Sequence, residues 1–351
     1  MYLNTIYTKQ KQSYLLGVNN IKHNYIFLLN GSIGDFLMVL IILDSIWQAQ
    51  KENKPKLYIA TPRNEKLFEE LVEKYSHINI IKYPWSMGRF LLNRNTVITS
   101  PTPGKIPLHQ KISAWIISRR QGSKLIGFED GVQVNKFLFD NLMPFRTDIL
   151  IIDLLFSILK DSGINFNRQD IIFNPPDDKK NVSWRKPTIV FHPFGSSAGR
   201  SILGSKMNEV VSFILESFPK HVIYISGSSD DSKKLESLEE HKRIKKVAGK
   251  LSMSEICDLL KNTDLYIGVD TGITHMANSL GIKTLVIAEQ GTPHWLPYYN
   301  SKATIVYQVK GDDSGVNDGR EYLESKRDGR VRYLDRVPLS VIKKYINEAG
   351  R

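Results

Sequence analysis

The chain has 351 residues, 41% of them hydrophobic and 24% charged, which fits a folded protein with a full core and makes two domains the natural division. Its 48 basic against 36 acidic residues leave a net charge of +12, which favours phosphates and anionic headgroups as partners, while nucleic acid is disfavoured because no basic stripe with interleaved aromatics occurs. The one cysteine, Cys257, excludes an internal disulfide and points to a reducing, cytoplasmic setting, and no apolar run reaches membrane-spanning length.

Residues 1–23 mix Lys9, Lys11 and Lys22 with Tyr2, Tyr7 and Tyr14, lack a signal-peptide core, and form an N-terminal extension without an assigned role. Tyr25–Leu29 reads as a buried strand, Asn30–Gly34 as a Gly-bearing loop, and Asp35–Gln50 as a helix apolar on most faces. Strands follow at Leu57–Ala60, Ile78–Ile81, Thr96–Thr99 and Leu125–Phe128, with helices at Lys66–Tyr75 and Ile149–Lys160. Pro101–Leu108 is a Pro- and Gly-rich loop, and a basic patch at Arg119–Lys124 precedes the fourth of these strands. Three prolines in Asn174–Pro187, a stretch without apolar periodicity, mark a linker at 177–187. Alternation then resumes. Strands are expected at Thr188–His192, Val222–Ser226, Ile244–Val247, Leu265–Val269 and Thr284–Ala288, helices at Met207–Ser217 and from Gly227, and a closing helix at Leu339–Ala349. This order predicts an α/β fold of two similar halves, 24–176 and 188–336, each a parallel sheet wrapped by helices, followed by 337–351. Ligands bind such sheets beyond the carboxyl ends of their strands, in the cleft.

Three stretches carry the chemistry. After strand Leu265–Val269 comes Asp270-Thr271-Gly272-Ile273-Thr274-His275, a tight turn into a helix. Its free N–H groups and helix dipole suit an anion. Taken alone, the turn is equally an ordinary strand-to-helix junction with a satisfied His. The loop Phe194-Gly195-Ser196-Ser197-Ala198-Gly199-Arg200 has small residues for close backbone approach and a guanidinium that can fork onto a phosphate. Its plain alternative is a flexible surface loop. The loop Gly31-Ser32-Ile33-Gly34-Asp35 is neither a dinucleotide fingerprint nor a Walker sequence, which counts against a dehydrogenase or a P-loop enzyme. Asp35 is either a helix cap or a cleft-facing general base. Arg63, Arg119, Arg120 and Lys124 could hold an anionic acceptor, or be a solvated surface. No His or Asp spacing implies a divalent metal.

Asp270–Ala277, then Gly281-Ile282-Lys283-Thr284, then Gly291-Thr292-Pro293 with Trp295 and Pro297, resemble the signature of glycosyltransferase family 9, the ADP-heptose:lipopolysaccharide heptosyltransferases. Gly34-Asp35 matches that family's opening, and His192–Ser196 with Arg200 its second-half opening. The resemblance implies a GT-B fold, with the closing helix crossing back to the first domain, and inverting transfer from a nucleotide sugar. Asp35 would be the general base. Arg200, Ser196, Ser197, Asp270, Thr271, Gly272 and His275 would hold the donor diphosphate, Met253 would lie near adenine, and Asp230 or Asp231 near the ribose. Gly34, Arg63, Arg119, Arg120 and Lys124 would meet a phosphorylated glycolipid acceptor at the inner face of the inner membrane, where the protein would sit peripherally. ADP-heptose is the implied donor; another nucleotide sugar, or a capsule, O-antigen or protein acceptor, is the alternative. The chain departs from the family at Arg200-Ser201-Ile202-Leu203, which stands where Lys-x-Trp-Pro is usual.

Overall fold

A computed structural model of the chain describes residues 23–29, 33–49, 54–61, 75–82, 87–91, 93–99, 106–129, 132–144, 151–161, 183–196, 198–288, 303–306 and 337–349. The first half runs β1 (His23–Leu28), α1 (Ile33–Ala49), β2 (Lys56–Thr61), β3 (Ile78–Lys82), β4 (Arg94–Thr99), α2 (Leu108–Ile117), β5 (Lys124–Phe128), α3 (Asn135–Leu138), β6 (Asn141–Met143) and α4 (Ile151–Asp161). The second runs β7 (Thr188–His192), α5 (Gly204–Ser217), β8 (Val222–Ile225), β9 (Ile244–Lys246), α6 (Met253–Lys261), β10 (Leu265–Val269), α7 (Gly272–Ser279), β11 (Lys283–Ile287), β12 (Ala303–Val306) and α8 (Leu339–Ala349).

The two sheets have the same topology. Their strand orders are β3-β2-β1-β4-β5-β6 and β12-β11-β10-β7-β8-β9, and every pairing between neighbours is parallel. Counted from the first strand of each half, both read 3-2-1-4-5-6, the doubly wound order whose direction reverses between strands 1 and 4. Those switch points lie between β1 and β4, and between β7 and β10. All five residues of β7 and of β10 are buried, as strands covered on both faces must be.

Asp35 to Ile46 of α1 is buried without a break. A helix apolar all round belongs inside a structure, and α1 lies between the halves, with α7 as its main helical partner. One apolar cluster therefore runs from Phe27 and α1, through Leu155 of α4, to Met253, Cys257, Tyr266 and Met276 of the second half. Cys257 is fully buried there, with its Sγ 3.3 Å from Met276 Sδ. A second cluster covers the far face of the second sheet, and a third, including Ile26, Val97, Ala114 and Leu125, the far face of the first.

The closing helix departs from expectation. Instead of crossing back to the first half, α8 packs on α5 and β11, with Ile342 and Ile346 buried in the second sheet's outer cluster. Its apolar stripe fits that face. The expected Lys66–Tyr75 helix lies largely outside the described residues, as do the extension 1–22 and most of the linker. Trp184, at the linker's end, already belongs to the second half: its Nε1 donates to Asp258 Oδ2 at 2.6 Å. The helix Leu108–Ile117 was hidden in a stretch dominated by its Pro-rich approach and basic exit.

Candidate active site

The first turn of α1 follows β1, and the first turn of α7 follows β10, so each sits at its own sheet's switch point. The two turns meet. A Cβ on Gly272 would lie 2.8 Å from Leu37 Cδ1 and 3.1 Å from Gly34 Cα. A side chain here would need Leu37 to turn aside and the Gly34 backbone to give by a few tenths of an ångström, and Asp35, 7% exposed, follows Gly34 at this contact. Gly34 and Asp35 therefore occupy the edge that the sequence suggests.

The Asp270 turn is held by one hydroxyl. Thr274 Oγ1 donates to the Val269 carbonyl, lies 3.1 Å from Thr271 Oγ1 and 2.9 Å from the Tyr266 hydroxyl. Tyr266 is fully buried, and burial pushes its phenol pKa well above the ordinary value, so it stays neutral. Thr271 is the N-cap of α7 in extended conformation, and its side chain makes no capping bond, so the first N–H groups of the helix keep their anion-binding character. Gly281, with φ +73°, turns the chain out of the helix. Thr274 was not singled out from the sequence; a second Thr three residues after Thr271, within an otherwise apolar stretch, is the signal that could have found it.

Arg200 joins two loops. Its Nη2 donates to Asp270 Oδ2 at 3.0 Å and to the Asp270 carbonyl at 3.1 Å, while Nη1 donates to Ser196 Oγ at 3.2 Å. The loop before it is tight because a Cβ on Gly195 would sit 2.3 Å from the Arg200 carbonyl oxygen. His275 Nε2 is 3.9 Å from Asp270 Oδ1. Three carboxyl-end loops, after β7, β8 and β10, thus converge, and Gly227 brings in the third by packing under Phe194. Ser197 and Arg63 lie outside the described residues.

Several sequence expectations change. Asp231 is taken up locally: its Oδ2 accepts from the Ser228 N–H at 2.9 Å and the Ser228 hydroxyl at 2.6 Å, and its Oδ1 from Lys234 Nζ at 2.6 Å. It closes a capping box, while Asp230 beside it is exposed. Burial works to raise the Asp231 pKa, but the bonds from Lys234 and Ser228 outweigh it and hold the carboxyl below its usual range. Met253 is 7% exposed and packs in the interdomain cluster.

Arg119, Arg120 and Lys124 are far from the cleft. Lys124 opens β5 and pairs with Thr96 near the start of β4, so these residues line the amino edge of a parallel sheet whose carboxyl edge carries Asp35. Strands of five or six residues separate the two edges by roughly 17 Å. Arg119 is bonded to Asp140 Oδ2 at 2.7 Å and lies over the Trp115 ring at 5.2 Å. The basic patch is not part of this cleft. Among the described residues, no group of three or more His, Cys, Asp or Glu is placed to hold a metal.

Residues 159–316 match the family model described as glycosyltransferase family 9 (heptosyltransferase). The fold is similar to a family 9 glycosyl transferase from Veillonella parvula, with a TM-score of 0.62 and 14% identity over 94% of this chain and 96% of that one. It is equally similar to the E. coli ADP-heptose lipopolysaccharide heptosyltransferase II, with a TM-score of 0.62 and 13% identity over 93% and 98%. The E. coli heptosyltransferase WaaC with ADP gives 0.60 and 13% identity over 93% and 99%. No curated protein matches the chain in sequence.

Proposed function

We propose, from the family 9 match over residues 159–316 and the shared fold, an inverting glycosyltransferase that moves a sugar from a nucleotide donor to a glycan hydroxyl, with Asp35 as general base. The observation that supports this is the close approach of Gly34 to Gly272, which brings the turn carrying Asp35 against the turn that follows β10.

In this reading the donor diphosphate rests on the N–H groups that open α7 and on Arg200, whose guanidinium already bridges Ser196 and Asp270. Thr271, Gly272 and His275 line the same turn, and Asp230 takes the ribose. The acceptor hydroxyl attacks the anomeric carbon from the side of Asp35, opposite the departing diphosphate, and so inverts the centre. Charge grows on the leaving diphosphate as the bond breaks, where fixed N–H dipoles and Arg200 stabilise it. The hydroxyl loses its proton late, as the new bond forms, so an ordinary carboxylate is a sufficient base.

ADP-heptose is the proposed donor, and a lipopolysaccharide core or related glycolipid the proposed acceptor. Support comes from the family match and from solved neighbours described with ADP and with ADP-2-deoxy-2-fluoro heptose. A different sugar is the second reading, favoured by one feature: Ile202 is fully buried where the resemblance would have an aromatic platform, so the sugar subsite has another shape.

Asp35→Asn tests the mechanism. The variant should bind nucleotide with unchanged affinity in a thermal-shift titration, while transfer falls by about 10²- to 10⁴-fold. Near-normal turnover would remove Asp35 from the mechanism. Stabilisation by UDP or GDP, but not by ADP, would change the donor.

A further inference from the structure

Among the described residues, all seven large apolar side chains that stand at least a third exposed lie between Leu91 and Phe137. The described residues of the second half contribute none. Such concentration is unlike the scattered single exposures of an ordinary surface. Leu108, Ile112 and Ile116, 41–51% exposed, recur every four residues along one side of α2, while Gln110, Lys111, Ala114 and Ile117 turn inward. Beside them α3 presents Phe137, 83% exposed, next to Val134. Lys111 Nζ donates to Asn135 Oδ1 at 2.9 Å and ties the two helices into one surface. Leu91 follows the short turn Met87–Phe90, which also contacts α2.

The rim of this surface is cationic. Arg119 and Arg120 end α2, Lys124 opens β5, Lys136 lies in α3, and all four are exposed. The exposed acids among the described residues of 87–144 are Glu129 and Asp140, and Asp140 is bonded to Arg119. An apolar stripe with an aromatic anchor and a Lys/Arg border is the composition of a helix lying in the interface of an anionic bilayer. The net charge of +12 acts in the same direction.

We propose that the α2–α3 face of the first domain docks on an anionic bilayer surface. Leu108, Ile112, Ile116 and Phe137 enter the headgroup–acyl boundary, and Arg120, Lys124 and Lys136 meet anionic headgroups. The basic residues set aside from the cleft thereby acquire a role. The choice of a bilayer as occupant rests on the glycolipid-acceptor reading above; the surface itself does not.

The full-length chain is mixed, without nucleotide, with phosphatidylcholine vesicles containing or lacking phosphatidylglycerol, and sedimented. It should bind the anionic vesicles, and weakly or not at all the neutral ones. Ile112→Asp with Phe137→Asp, and separately Arg120→Glu with Lys136→Glu, should each lower vesicle affinity tenfold or more, with thermal midpoints close to the parent. A polarity-sensitive dye on Phe137→Cys reports the occupant directly, since Cys257 is buried and unreactive. Its emission should shift to the blue only when anionic vesicles are added. Equal vesicle binding by parent and variants, or no binding by the parent, overturns the proposal. So does a dye already blue-shifted without vesicles: independence from protein concentration would mean another segment of this chain covers the face, and dependence would mean a second copy. Transfer to a delipidated, water-soluble acceptor should survive Ile112→Asp with Phe137→Asp. Absence of transfer in the parent, with vesicle binding intact, would sink the transferase reading and leave the docking surface standing.

Discussion

His192 ends β7 with its imidazole buried and its Nδ1 2.9 Å from Ser226 Oγ. Burial pushes its pKa down to about 4, outweighing the pull of the nearby Asp231 carboxylate. The unfolded chain takes up this proton near pH 6.5 and the native one only near 4, so the unfolded state binds more protons throughout that window. Stability should fall as pH drops through it, by up to about 3 kcal/mol. Chemical denaturation at pH 7 and pH 5 measures the slope, which His192→Gln should flatten. Arg200 behaves differently, because its side chain is 48% exposed and its pair with Asp270 is screened. Arg200→Ala should leave the melting midpoint within a degree or two of the parent yet weaken ADP binding by roughly ten- to a hundredfold, since charge-assisted bonds to phosphate are worth about 1.5–3 kcal/mol. Calorimetric titration with ADP reads this, and a variant with parental affinity would reassign the loop. The residue types at Asp270–His275 and at Arg200 suit an anion, and that much is legible in the sequence. The occupation of Asp231 by Ser228 and Lys234 does not show there, because a capping box and a ribose-binding acid look alike until the loop closes.

At the level of elements, α1 and α7 meet through their first turns, and the meeting depends on a missing methyl. Gly272→Ala would press a Cβ against Leu37 Cδ1 at 2.8 Å and against Gly34 backbone at 3.1 Å. Overpacking of this kind costs about 1–3 kcal/mol. Thermal denaturation should show that loss, and Leu37→Ala should relieve part of it, so the double variant loses less than the sum of the singles by about 1 kcal/mol or more. Strict additivity would mean that the helices separate without strain. Most strands were legible because runs such as Leu265–Val269 and Thr188–His192 are apolar at strand length, as parallel strands buried on both faces must be. The helix α2 was not, because its outer side carries Leu108, Ile112 and Ile116 where a soluble helix would carry polar residues, so no polar face marks its period.

Across the whole molecule, two topologically equal sheets share one apolar cluster through α1, α4, α6 and α7. Separate domains usually meet over polar, slippery interfaces. Here α1 is buried from Asp35 to Ile46, and Phe36–Leu43 with Ile46 belong to that shared core, so neither half can unfold without exposing it. Calorimetry should therefore record one transition with matching calorimetric and van't Hoff enthalpies. Two resolved transitions would show the halves to be independent. The same coupling implies that nucleotide bound at the α7 turn raises the midpoint of the entire protein, not of its second half alone.

Sequence by itself determined the two α/β halves, their order, the glycine turns, and the residue types at Asp270–His275, Arg200 and Asp35 on which the proposed site rests, since hydrophobic period and backbone permissiveness are local properties. Tertiary structure decided what lies beside what. It placed α8 on the second sheet instead of the first, since the apolar stripe of α8 fits the face formed by α5 and β11. It sent Arg119, Arg120 and Lys124 to the amino edge, away from Asp35, because strand direction in a parallel sheet fixes which loop goes to which end. It also brought Gly34 against Gly272, residues 238 positions apart, by burying α1 between the sheets. Proximity of that kind is set by packing, which no local pattern encodes.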